Sequence, residues 1–231
     1  MELKIIAYFK SPFTGKFGIP RQSGLVEEVE GSIVFVPEWR RKEAIRGLKD
    51  YDYLWLLWGF SANRHEAVGA TVRPPRLGGN ERMGVFATRS PYRPNPIGLS
   101  SVRIKKIEID GVNGPVIHVS GADLMDGTPI YDIKPYLEYT DSHTQIRSGM
   151  TDSRSWNNLK VIIPDDWAEM LGADRDALQE ILSLDPRPHY HASSSQGERI
   201  YGMTYHDKDV RFVVEGDTLT VVEVKTVREE P

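Results

Sequence analysis

The chain has no cysteine. That removes disulfides, thiolate metal sites and cysteine nucleophiles together. Long apolar runs are missing too. The most hydrophobic stretch, Tyr53 to Phe60 (YLWLLWGF), is far below the ~20 residues of a membrane helix. The opening MELKIIAYFKSPF carries too short an apolar run for a signal peptide, so a cytoplasmic protein with no membrane partner is expected. No G-x-G-x-x-G follows a strand and opens a helix, and there is no P-loop lysine pattern. No G-x-S-x-G elbow supports a serine hydrolase. Histidine is sparse: His189-x-His191 is the only close pair among six, and no third ligand accompanies it, so no metal site is expected.

What the chain does have is unevenly placed charge. Its net charge is −4. Residues 1–150 hold 20 Lys and Arg against 17 acids, whereas residues 151–231 hold 9 against 16. Between Thr71 and Lys106 there are eight basic residues and one acid, Glu81. A concentrated patch of this kind binds phosphates even on an acidic chain.

The segment Thr71–Gly98, TVRPPRLGGNERMGVFATRSPYRPNPIG, holds the core of that patch. Arg73, Arg76, Arg82, Arg89 and Arg93 sit among five prolines and four glycines. Helices and central strands do not tolerate so many prolines. The segment therefore reads as loop around one short strand, Met83–Thr88. Prolines reduce the entropy lost on ordering, so the loop holds its guanidinium groups ready for something anionic or planar.

Short strands run back to back through the first 140 residues. Patterning places them at Leu3–Phe9, Gly31–Val36, Tyr53–Phe60 (apolar throughout, hence buried on both faces), Met83–Thr88, Leu99–Ile109, Val116–Ser120 and Ile130–Ile133. One helix is expected over Pro37–Lys49, with Ala44, Ile45 and Leu48 on one face. Such an order argues for an antiparallel β-barrel or sandwich, and the barrel is preferred. Residues 141–156 read as a linker or mobile loop. From 157 to 231 the pattern is that of a small α+β domain: a strand at Leu159–Ile163, helices at Asp165–Leu171 and Arg175–Leu182, and a hairpin joining Arg211–Val214 to Leu219–Val224. The expected class is mainly β, with residues 1–140 as the barrel.

Three further motifs suit a ligand site. Pro20-Arg21-Gln22 pairs a cation with a two-sided hydrogen bonder. Asp126-Gly127-Thr128-Pro129 makes a tight turn, though it is also an ordinary hairpin turn. Asp185-Pro186-Arg187-Pro188-His189-Tyr190 combines rigidity with a cation and an aromatic, as a nucleotide clamp or simply a helix stop.

In chain order, PRQ, the Arg-Pro loops, the run DGTPIYDIKPYL at Asp126–Leu137 and DPRPHY resemble the TsaA-like, TrmO-type tRNA methyltransferases. The resemblance extends over most of the chain. It implies a β-barrel with a small C-terminal domain, working as a homodimer. The implied reaction is methylation, with S-adenosylmethionine, of N6 in a threonylcarbamoyl-adenosine beside the tRNA anticodon. By motif it assigns the cofactor to Pro20, Arg21, Gln22, Arg89, Leu99, Asp126, Gly127, Thr128 and Pro129. Family members also use a dipeptide after the buried strand, often His-Gln; here it is Ser61-Ala62, with less to offer from side chains. Arg89 is assigned to the cofactor's carboxylate. Asp126 is assigned to its ammonium, with proton acceptance as the alternative; no catalytic base is named. Arg73, Arg76, Arg82 and Arg93 are the expected contacts to the anticodon loop, with Arg187 from the second domain, and Tyr92 and Tyr190 as stacking partners. The rival readings are a non-catalytic RNA-binding β-barrel and a hydrolase of a small anionic substrate.

Overall fold

A computed structural model describes residues 2–62, 69–74, 81–152, 157–187 and 199–227. Its elements in chain order are β1 (Ala7–Lys10), β2 (Glu30–Phe35), β3 (Tyr53–Gly59), β4 (Thr71–Val72), β5 (Met83–Gly84), β6 (Ile97–Gly111), β7 (Gly114–Ser120), β8 (Pro129–Pro135), α1 (Glu138–Asp141), β9 (Lys160–Ile162), α2 (Asp165–Leu171), α3 (Arg175–Ser183), β10 (Tyr201–Tyr205), β11 (Lys208–Glu215) and β12 (Thr218–Thr226).

Six strands close a barrel in the order β1-β2-β7-β6-β3-β8, every neighbouring pair antiparallel. The barrel preferred from the sequence is therefore the one observed. Closure leaves no open edge. Alternation along each strand points Phe9, Ile33, Leu54, Leu56, Val102, Ile117 and Ile130 into one dry core.

A second sheet, β10-β11-β12 antiparallel with β9 parallel to β12, carries α2 and α3. Its core is built from Leu178, Ile181, Val210, Phe212, Leu219 and Val221. Phe13, Val26 and Val29, which lie between β1 and β2, are fully buried in this second core rather than in the barrel. The segment that leaves the barrel after β1 thus stitches the two together. Among the described residues no helix is long and apolar enough to cross a membrane.

Several local expectations need correction. The helix over Pro37–Lys49 is three separate 3-10 turns, Pro37–Trp39, Lys42–Ile45 and Leu48–Asp50. Arg41 and Arg46 are extended and Gly47 has φ 85°, so no continuous helix forms. The first strand begins at Ala7 rather than Leu3. Met83–Thr88 pairs only at Met83–Gly84; Val85 then turns inward to bury its side chain, which makes Val85–Ala87 a 3-10 turn. β3 is not buried on both faces. Leu54, Leu56 and Trp58 point inward, while Tyr53 is exposed and Trp55 half-buried under Tyr136. Strand β10 had no counterpart in the sequence reading; its YGMTY pattern is short and follows a Ser-rich stretch.

Candidate active site

A cavity of about 830 Å³ lies over the barrel end where β3 finishes and β6 begins. Its volume suits a small-molecule ligand. The floor is aromatic. Trp58 and Phe60 meet edge-on with centroids 4.4 Å apart, and Trp55, Ile97 and Leu99 extend the apolar surface.

Trp58 takes its position because its cross-strand neighbour is Gly98. A Cβ on Gly98 would lie 2.3 Å from the indole ring. Lying across the glycine, the indole donates Nε1–H to Ser100 Oγ at 2.9 Å. The Ser100 hydroxyl in turn donates to Asp123 Oδ1 at 2.5 Å. Ser100 is fully buried, so both of its bonds are needed to offset its desolvation.

Asp123 is the one carboxylate on the described cavity wall, against Lys16, Arg21, Arg89 and Arg93. Burial pushes its pKa above the usual carboxylate range; the Ser100 hydroxyl, the amides of Asp123 and Ser23, and the Arg89 charge work in the opposite direction and do not cancel it. Sequence reasoning missed Asp123, Ser100 and the aromatic floor. The available signal was Gly121-Ala122-Asp123-Leu124, three residues ahead of the Asp-Gly turn that drew attention instead.

The second wall is the loop Ile19–Ser23. Ser23 Oγ accepts from Ser101 N at 3.2 Å, and Gly24 N donates to Gly121 O at 2.8 Å, so its end is fixed to the barrel. Arg21 fixes it to the second sheet's side: its Nη2 donates to the carbonyl of Asp185 at 3.0 Å and toward that of Arg187 at 3.5 Å. Gln22 Nε2 donates to Arg21 O at 2.5 Å, and Gln22 Oε1 accepts from Arg89 Nη1. This network aligns Pro20-Arg21-Gln22 with the arginine loop.

Eight expected cofactor residues share this cavity: Pro20, Arg21, Gln22, Ser61, Ala62, Arg89, Leu99 and Thr128. Thr128 is buried and its hydroxyl is spent on Met125 O at 2.7 Å. Asp126, Gly127 and Pro129 are not on the wall. Asp126 accepts from Ser11 N at 3.0 Å and pairs with Lys10 at 3.5 Å; Gly127 N donates to Phe9 O at 2.8 Å; Pro129 is paired with Tyr8. The turn is occupied in holding β8 to β1, because a chain reversal must satisfy its own backbone first.

The expected RNA contacts divide. Arg93 lines the cavity and donates to Thr88 O at 3.0 Å. Arg82 donates to Thr71 Oγ1 at 3.0 Å across the β4–β5 ribbon, and Arg73 is exposed beside it. Tyr92 is exposed. Arg187 departs from its expected role: its side chain is only 11% exposed and forms two bonds to Asp185, Nε–Oδ1 at 2.8 Å and Nη2–Oδ2 at 2.9 Å. A bidentate, desolvated pair of this kind is a structural tie. Arg76, Tyr190, His189 and His191 lie outside the described residues. Among the described residues no group of three or more His, Asp or Glu is arranged to hold a metal.

Comparison with known proteins places the chain in a family. The model of the tRNA-methyltransferase O N-terminal domain matches residues 8–142, and that of the TrmO C-terminal domain matches residues 158–227. The chain belongs to the TrmO family. Over 216 residues it is 36% identical to the tRNA (adenine(37)-N6)-methyltransferase of Escherichia coli K12, covering 90% of this chain and 91% of that one. It is 37% identical to a putative S-adenosylmethionine-dependent methyltransferase, RcsF, of Pseudomonas aeruginosa, covering 90% of each. The crystal structure of TrmO from Pseudomonas aeruginosa superposes with a TM-score of 0.75 at 30% identity, covering 97% of this chain and 98% of that one. The cavity is walled by side chains and strand ends.

Proposed function

We propose that this chain binds S-adenosylmethionine in the cavity over the barrel end and methylates N6 of tRNA adenosine 37 after that base has acquired a threonylcarbamoyl group. It is an S-adenosylmethionine-dependent tRNA methyltransferase. The observation that carries the reading is the convergence, in one cavity, of the aromatic floor, the Arg89–Gln22 pair and Asp123, in a chain of the TrmO family.

These residues fit the cofactor's chemistry. Trp58 and Phe60 offer π faces to an adenine and to a methylsulfonium cation. A guanidinium such as that of Arg89 suits a carboxylate. When bound, the cofactor supplies a methyl group on an already activated sulfonium. What this chain adds is mainly positioning, because an adenine amino group is a weak nucleophile whose lone pair is delocalised. Arg21, tied to the second domain, holds the cofactor loop still. Arg93, Arg89 and Lys16 leave the cavity rim cationic, which suits both a phosphate backbone and the carboxylate of a threonylcarbamoyl group. The anticodon loop presents unstacked bases, so little flipping energy is required. A homodimer is part of the proposal, on the family's pattern.

The test is mass spectrometry of tRNA nucleosides after incubation with the purified chain and S-adenosylmethionine. Substrates are tRNAs with and without threonylcarbamoyl-adenosine. A mass gain of one methyl on the modified nucleoside alone is expected. Methylation of both, or of unmodified adenosine only, removes the threonylcarbamoyl requirement. No methylation of either sinks the reading, and sedimentation at micromolar concentration decides the dimer.

A further inference from the structure

On the reading above, the reaction releases a proton from N6, and none of the sequence motifs names its acceptor. We propose that Asp123 is the catalytic proton acceptor for the adenine amino group, held in place by the Trp58–Ser100 hydrogen-bond chain.

The case rests on hydrogen bonding and position. An ionised carboxylate has about four lone-pair sites. The Ser100 hydroxyl takes one of them at 2.5 Å, on a group that lines the cavity. Asp123 is the one carboxylate on the described cavity wall, so it keeps acceptor capacity for an N–H entering there. Charge development favours the same role. Positive charge leaves sulfur and develops on nitrogen as the methyl transfers. A carboxylate beside the nitrogen is therefore stabilising in the transition state, whereas one beside sulfur would favour the reactant.

Ser100 cannot drift, because it is fully buried and its oxygen also accepts from Trp58. Trp58 is held against Gly98. The relay thus fixes one carboxylate oxygen and leaves the group turned to the cavity. Of the elements packed around Asp123, β6 offers Ser100, the Ile19–Ser23 loop offers Ser23, and the arginine loop offers Arg89, whose charge favours the ionised carboxylate. The burial that raises the Asp123 pKa makes it a stronger base than a surface aspartate.

The step balances. The N6 lone pair forms the new bond to the methyl carbon; the carbon–sulfur bond breaks and its electrons stay with sulfur as a neutral thioether. The N6 proton passes to the Asp123 carboxylate and then to water.

The experiment compares wild-type, Asp123→Asn and Asp123→Glu chains in single-turnover methylation of threonylcarbamoyl-modified tRNA from pH 5 to 9, with calorimetric titration of S-adenosylhomocysteine into each. Asparagine keeps the oxygen that Ser100 bonds but cannot take the proton. The expected result is a loss of about 10²–10⁴-fold in the saturated rate for Asp123→Asn, with the acid limb of the wild-type profile gone. Asp123→Glu keeps a limb at a shifted pH, and S-adenosylhomocysteine affinity stays within about threefold. A variant that binds S-adenosylhomocysteine ten or more times more weakly, while its saturated rate is unchanged, would make Asp123 a cofactor ligand and overturn the proposal. So would a saturated rate within about threefold of wild type with the limb intact. A wild-type chain that binds S-adenosylhomocysteine but methylates no tRNA overturns the functional reading first, and this inference with it.

Discussion

Phe13 and Tyr205 meet edge-on, with ring centroids 5.3 Å apart and planes at 75°. Phe13 belongs to the segment that has just left the barrel, and Tyr205 ends β10 of the second sheet. Both are fully buried. His206 N also donates to Pro12 O at 2.8 Å, so the junction has a backbone bond as well as a ring contact. The cavity loop Ile19–Ser23 hangs between this junction and the barrel, and its geometry depends on both.

Phe13→Ala should lower stability by about 3–5 kcal/mol, the usual range for a buried aromatic. The loss should appear in urea unfolding, followed by tryptophan fluorescence. Because Phe13 lies in the second core, the second sheet should melt earlier than the barrel, splitting a single transition in two.

Removing residues 157–231 should weaken cofactor binding as well as turnover. The truncation exposes Phe13, Val26 and Val29 and deprives Arg21 of the Asp185 and Arg187 carbonyls. Calorimetry with S-adenosylmethionine checks this: affinity equal to that of the whole chain would show that the loop holds its shape unaided.

Gly98→Ala should displace the Trp58 indole, which its Cβ would meet at 2.3 Å. Overpacking of this kind costs about 1–3 kcal/mol. The Trp58–Ser100 bond should break, near-ultraviolet circular dichroism should change, and cofactor affinity should fall. An unchanged tryptophan spectrum would mean that the barrel end yields instead of the ring.

Asp123→Asn should raise thermal stability at pH 7–8 more than at pH 4. Burial lifts the folded-state pKa of Asp123 above its unfolded value. Its contribution to stability is therefore full below the unfolded pKa and is lost as pH rises through the folded pKa. The neutral amide avoids that loss. Each kcal/mol relieved corresponds to about 2–4 °C in the melting temperature for a chain of this size. Scanning calorimetry across pH tests the sign; an equal shift at both pH values would mean that Asp123 titrates normally. A stabilised but inactive variant is the pattern of a functional carboxylate.

Arg73→Ala and Arg82→Ala should each weaken tRNA binding and reduce the salt slope of log K by about one. Arg187→Ala should leave the slope unchanged, since its guanidinium is engaged with Asp185, and should instead loosen the Arg21 anchor. Filter binding at several salt concentrations separates the two behaviours. An altered slope for Arg187→Ala would restore it as a phosphate contact.

Local signals were legible where a residue's own chemistry dictates the answer. The prolines of Thr71–Gly98 keep regular structure there short, and alternating apolar residues mark β6 and β7, whatever surrounds them. The helices Asp165–Leu171 and Arg175–Ser183 begin where sequence periodicity places them. The failures occurred where distant residues compete. Pro37–Lys49 has helical spacing, but Gly47 and the demand of Ile45 for the barrel core break it into 3-10 turns. Arg187 looked like a free cation until folding brought its own neighbour, Asp185, into a bidentate pair.

The same division holds for the site. The sequence by itself determined the class of strand-rich fold, the family and the basic loop, because composition and motif order are carried by adjacent residues. Only the tertiary structure decided which of those motifs meet. It turned Asp126 to the back of its turn and brought Asp123 to the cavity instead, through Ser100 and Trp58 on two other strands. Those three residues are 23 to 65 positions apart in the chain. No local pattern encodes such a contact; it exists only because closing the barrel places β3, β6 and the approach to β8 side by side.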